Sequence, residues 1–141
     1  MNYLLDTNIV SEWVKARPDP GVIAWLAEAD EDRVFISVIT LAELRYGIAR
    51  LNEGQRRKRL EAWLSDELPQ RFAGRVLPID GAAADVWGKL MAQRAGQGRP
   101  LQPMDGFIAA IAQTHSLTLV TRNTADFKSS LKTIVNPWRK K

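Results

Sequence analysis

The chain has 141 residues, 45% of them hydrophobic, with 20 Lys and Arg against 16 Asp and Glu, a single His and no Cys. That composition suits one globular domain spanning residues 1–141, and it excludes disulfides, thiolate nucleophiles and cysteine-bound zinc or iron–sulfur centres. A net charge of +4 and a pI near 9.7 favour a polyanionic partner; with no apolar run long enough to span a bilayer, and with Asp6 interrupting the N-terminal apolar stretch, a cytoplasmic protein without membrane contact is expected.

Residues 2–5 read as a short buried strand, followed by a helix over 7–14 and a break at 17–21 (Arg-Pro-Asp-Pro-Gly). Residues 22–29 have helical spacing and 33–37 form a second strand. Leu41, Leu44, Ile48 and Leu51 recur at helical spacing and predict a helix over 39–51. A polar helix is expected over 53–68, with Leu60, Trp63 and Leu64 inward and Pro69 as its stop. A third strand falls at 76–79, and Asp80 is a good N-cap for a helix over 81–94. Gly96, Gly98 and Pro100 mark a loop. Pro103 and Asp105 open a helix over 106–115, a fourth strand falls at 118–121, and a fifth at 133–135. Strands alternating with helices predict an α/β fold: a central parallel sheet of about four to five strands with helices on both faces.

Four acids stand after strands or at helix starts, flanked by apolar residues: Asp6, Glu43, Asp105 and Asp126. Ligands of open parallel sheets bind beyond the carboxyl ends of the strands, where strand order reverses. If strands one and four are neighbours, all four acids face one crevice. Singly, each has an ordinary explanation: Asp6 and Asp105 as helix caps, Asp126 as a turn residue with Asn123, Glu43 as a surface residue. Jointly they repel, by about 4 kcal/mol for a pair about 4 Å apart at an effective dielectric near 20. A hard divalent cation relieves that repulsion, and Mg²⁺, with Mn²⁺ as substitute, prefers oxygen ligands. His115, at a helix end, is expected to be exposed or structural. The basic runs at 56–59 and 139–141 read equally well as solvated surface. Trp25, Trp63 and Trp87 fall at core spacing, whereas Trp13 and Trp138 are candidate interface residues.

Leu5-Asp6-Thr7-Asn8, the segment from Ser37 through Glu43 to Gly47, Asp105-Gly-Phe-Ile-Ala-Ala and Thr121-Arg-Asn-Thr-Ala-Asp126-Phe resemble the motifs of PIN-domain ribonucleases. The similarity is greatest to VapC-type toxins of bacterial toxin–antitoxin pairs, including the FitB-like subgroup, whose pattern Ser11-Glu12 and Asn136-Pro137-Trp138 also resemble. The resemblance covers essentially the whole chain in order. It implies a PIN-like domain in which Asp6, Glu43 and Asp105 hold metal, with Asp126 completing the set or Asn123 contributing in its place. Thr7, Asn8, Ser37 and Thr121, with Asn123, would orient the carboxylates. It further implies an Mg²⁺-dependent endoribonuclease neutralised by a cognate VapB-type antitoxin, a homodimer, and contact with DNA only through the antitoxin. Arg45, Arg94, Arg99 and Arg122 are the candidate RNA contacts at the rim. The alternative is a weakly active or inactive PIN module that serves chiefly as partner of a DNA-binding antitoxin in transcriptional control.

Overall fold

Every strand is two to four residues long and rich in Val, Ile and Leu, as expected of strands covered on both faces. The computed structural model describes residues 1–138; the basic run of Arg139, Lys140 and Lys141 lies outside the described residues. The strands are β1 (Tyr3–Leu5), β2 (Val34–Ser37), β3 (Val76–Leu77), β4 (Thr118–Val120) and β5 (Ile134–Val135). All pair in parallel, in the order β3-β2-β1-β4-β5. Chain order runs outward from β1 to β3 on one side and then resumes at β4 on the other. The reversal therefore falls between β1 and β4, which pair Tyr3 with Thr118 and Leu5 with Val120.

Neighbouring residues of a strand point to opposite faces, and the core divides accordingly. Leu4 and Leu119 join one apolar cluster with Ile108, Ile111 and Phe127. Leu5 and Val120 join the other with Ile9, Val10, Ile36 and Phe72. The first face is covered by α6 (Gly81–Gly96), α7 (Pro103–Thr114) and α8 (Thr124–Phe127). The second carries α1 (Thr7–Glu12), α2 (Pro20–Glu28), most of the apolar side of α3 (Val38–Ala49), and α4 (Gln55–Ala62) with its continuation.

Several boundaries differ from the sequence expectation. Helix α1 ends at Glu12 rather than at 14, because the amides of Trp13, Val14 and Lys15 close tight three-residue turns onto Val10, Ser11 and Glu12. Helix α2 begins at Pro20, inside the expected break. Proline is preset for the first helical position, and Asp19 caps the amides of Gly21 and Val22 at 2.9 and 3.1 Å. Pro69 does not stop its helix. The chain widens into a π turn at Trp63–Glu67, with the Leu68 amide bonded to the Trp63 carbonyl, and continues as α5 (Leu68–Arg71). Pro69 sits in the first turn of α5, where its missing N–H costs little. Helix α6 runs two residues beyond the expected end at 94, to Gly96, and Asp80 caps it through the Ala83 amide at 2.9 Å. No helix among the described residues is long and apolar enough to cross a membrane.

Candidate active site

Asp6 leaves the end of β1 and caps α1, its Oδ1 accepting from the Thr7 amide at 2.7 Å. Parallel pairing with β4 brings Thr121 alongside, and the Thr121 hydroxyl donates to Asp6 Oδ2 at 2.7 Å. Asn8 makes longer contacts through Nδ2 to Asp6 Oδ2 and Thr121 Oγ1, at 3.5 and 3.4 Å. Asp6 is 4% exposed. Burial raises its pKa most; the hydrogen bonds from Thr121 and Thr7 oppose this, and the Glu43 charge adds to the rise.

Glu43 projects from α3, and its Oε1 accepts from the Thr7 hydroxyl at 2.6 Å. Thr7 Oγ1 also lies 3.0 Å from Thr40 Oγ1. Thr7 therefore links the first motif to the second: its amide holds Asp6 and its hydroxyl holds Glu43. Thr40, fully buried, belongs to this group although the sequence alone does not single it out. Its trace there is the three-residue spacing before Glu43, which places both on one face of a helix. Ser37 is a correction. Its hydroxyl accepts from the Thr40 amide at 3.3 Å and starts α3; it orients α3 rather than a carboxylate.

Asp105 lies in the first turn of α7 and is half-buried. Its carboxyl is pushed up to about 6, first by burial and then by the negative charges of Asp6, Glu43 and Asp126. The acids of β1, α3, α7 and α8 thus share one electrostatic neighbourhood. Among the described residues none of the ion pairs involves any of the four. Asp126 is exposed on α8, a helix of four residues held down by the fully buried Phe127. Asn123, before α8, gives its backbone amide to Thr121 Oγ1 at 3.0 Å, and its side chain makes no capping bond.

Among the described residues no three acids form a closed cage that would hold an ion by themselves. The donor set, all oxygen, nonetheless fits a hard divalent cation. Mg²⁺ is usually held by one or two carboxylates, keeping several waters and taking substrate phosphate oxygens. An all-oxygen set in which burial first, and the neighbouring acids second, push one carboxyl up to about 6 matches that habit.

The arginines divide. Arg122 is exposed; its backbone amide donates to Asn8 Oδ1 at 3.3 Å and its guanidinium lies over the Trp138 ring, 5.3 Å from the centroid. Arg45 is exposed and donates to the Ser65 hydroxyl at 3.0 Å. Arg99 is exposed, and its carbonyl accepts from Arg94. Arg94 is a correction: it is 7% exposed and spends its donors on internal oxygens, so it is no rim contact. In the 56–59 run on α4, Arg56, Lys58 and Arg59 are exposed, whereas Arg57 is half-buried and pairs with Glu61 at 3.2 Å. His115 is exposed at the C-terminus of α7. Trp25 packs edge-on against Tyr3, Trp63 borders the second core cluster, and Trp87 stacks on Phe107. Trp13 packs against Phe72 and under Arg71.

Residues 3–129 match the PIN domain model, and the chain belongs to the PIN domain family. It is 41% identical over 135 residues to the VapC ribonuclease Y4jK of Sinorhizobium fredii, covering 96% of each chain. It is 38% identical to Toxin FitB of Neisseria gonorrhoeae, covering 96% of this chain and 97% of that one. A solved structure of FitAB bound to an IR36 DNA fragment superimposes with a TM-score of 0.91 at 35% identity, covering 99% of this chain and 97% of its counterpart.

Proposed function

We propose that this protein is a divalent-metal-dependent endoribonuclease and the toxin of a toxin–antitoxin pair. The observation that carries the reading is the shared electrostatics of Asp6, Glu43, Asp105 and Asp126, with no cationic side chain paired to any of them among the described residues. Likeness to the ribonuclease Y4jK supports the reaction class, and likeness to Toxin FitB supports the biological role.

Asp6 and Asp105 would hold Mg²⁺, or Mn²⁺ in its place, most directly, with Glu43 and Asp126 acting partly through water. When bound, such an ion supplies Lewis-acid stabilisation of charge on the phosphoryl oxygens and makes water a stronger nucleophile. The protein's part is orientation. Thr121 and the Thr7 amide hold both oxygens of Asp6, and the Thr7 hydroxyl aims Glu43. A carboxylate of the set takes the proton of the attacking water as its oxygen bonds to phosphorus and the bond to the leaving oxygen breaks. The approaching RNA is polyanionic, and Arg122, with Arg45 and Arg99, is the basic contact at the rim.

The partners are RNA as substrate and a cognate antitoxin as inhibitor, with DNA reached through the antitoxin; FitAB bound to DNA offers the parallel. A homodimer acting in the cytoplasm completes the reading. Its test is cleavage of total RNA with Mg²⁺, with Mn²⁺ and with EDTA, by the wild type and by Asp6→Ala. Cleavage by the wild type that needs metal and disappears in the variant is expected. Cleavage by both proteins, or by neither, would overturn it.

A further inference from the structure

Helix α6 contributes none of the four acids, yet it grips both segments that deliver Asp105 and Asp126. The Trp87 ring stacks on Phe107, with centroids 4.7 Å apart and planes 12° from parallel. Its indole N–H donates to the Pro103 carbonyl at 3.1 Å. Pro103 and Phe107 stand two residues to either side of Asp105, so Trp87 clamps the turn that carries the acid. Gly106 makes room for the clamp. A Cβ at that position would lie 2.9 Å from Trp87 Nε1 and 2.6 Å from Met91 Sδ. The methionine can swing aside, but the indole cannot move without releasing Pro103.

Two turns further along α6, Arg94 reaches the other segment. Its Nη1 donates to the Asp126 carbonyl at 3.2 Å and to the Ser130 hydroxyl at 2.8 Å, while Nε donates to the Arg99 carbonyl at 2.8 Å. Among the described residues no carboxylate pairs with this buried guanidinium. A buried charge satisfied by neutral oxygens is a poor source of net stability. Its planar fork is, however, a good source of geometric definition. Residues 87 and 94 are separated by close to two helical turns, so both grips are on one side of α6.

We infer that Trp87 and Arg94 are positioning residues that set Asp105 and Asp126 relative to each other, with Gly106 as the gap that lets Trp87 seat. This rests on the reading of those two acids as metal-holding groups. Loss of partners behind a metal ligand typically costs about 10- to 100-fold in affinity or activity. The experiment titrates Mg²⁺ against thermal melting of purified wild type, Trp87→Phe, Gly106→Ala, Arg94→Lys and the exposed control Lys89→Ala. Trp87→Phe keeps the stack and removes the N–H; Arg94→Lys keeps the charge and removes the fork. The expected result is a rise of about tenfold in the Mg²⁺ midpoint for the first three variants, with Lys89→Ala at the wild-type value. If Arg94→Lys fails to fold, the other two variants decide. Variants that melt lower in EDTA but keep the wild-type Mg²⁺ midpoint would assign α6 a purely structural role and overturn the inference. A wild type without any Mg²⁺ shift, or Asp105→Asn retaining it, would overturn the metal-site reading and the inference together.

Discussion

Asp105→Asn isolates the electrostatic cost of the acidic site. The Asp105 carboxyl titrates at about 6 instead of its ordinary 3.8. Burial is the main cause and the other three acids add to it. The folded protein therefore holds this proton more tightly than the unfolded chain does. Between pH 3.8 and about 6 the native state loses the proton at a cost, so wild-type stability is eroded as pH rises through that window. The penalty is absent below the window and complete above it. At about 1.36 kcal/mol per pH unit the shift sets a ceiling near 3 kcal/mol. Asp105 is only half-buried, and solvent screening brings the expected figure down to about 1 kcal/mol. Asparagine has nearly the same shape and no charge. In EDTA at pH 7.5 the variant should be more stable than wild type by about 1 kcal/mol, or about 3 °C in melting temperature for a chain of this size. The difference should vanish by about pH 3.5. In Mg²⁺ the order should reverse, because the variant loses a ligand. Paired urea melts across pH, with and without metal, read all of this. An asparagine variant equal to or less stable than wild type in EDTA at neutral pH would refute the claim that these charges crowd one another.

Further outcomes follow from the same geometry. Mg²⁺ at a hundredfold excess over its dissociation constant should stabilise the wild type by about 2.7 kcal/mol, read as a rise in urea midpoint. Glu43→Gln should abolish RNA cleavage while leaving stability in EDTA equal or higher; loss of folding would assign Glu43 a structural role instead. Thr121→Val removes the hydroxyl that donates to Asp6 at 2.7 Å, and should cost about 1–3 kcal/mol in stability and weaken Mg²⁺ binding. Thr121→Ser should restore both. Arg122→Ala should raise KM for RNA with little change in kcat, and should lower the salt dependence of RNA binding by about one ion.

What the chain states locally was legible without coordinates. Strand cores such as Leu4-Leu5 and Leu119-Val120, the Asp80 cap and the parallel α/β order depend on near-neighbour chemistry and on the handedness of crossovers. Asp6, Asp105 and Asp126 stand at or beside the starts of α1, α7 and α8, positions that near-neighbour chemistry marks, whereas Glu43 lies in the middle of α3 and meets Thr7 only through the fold.

Burial and partnership were another matter. An arginine in a helix reads as solvent-facing, and nothing in the residues around Arg94 says that Asp126, Ser130 and Arg99 will close over it. Ser37 and Thr40 are chemically alike in sequence, yet one caps a helix and the other lies against Thr7, the residue that holds Glu43. Pro69 ends a helix by local rule, but a π turn shifted the register and carried the helix past it. Sequence by itself determined which groups carry charge and where the backbone turns, because those are properties of a few adjacent residues. Tertiary structure alone decided which charges lose water and which donors meet them, because desolvation and contact are set by segments brought together from different parts of the chain, as between Thr7 and Glu43 or Thr121 and Asp6.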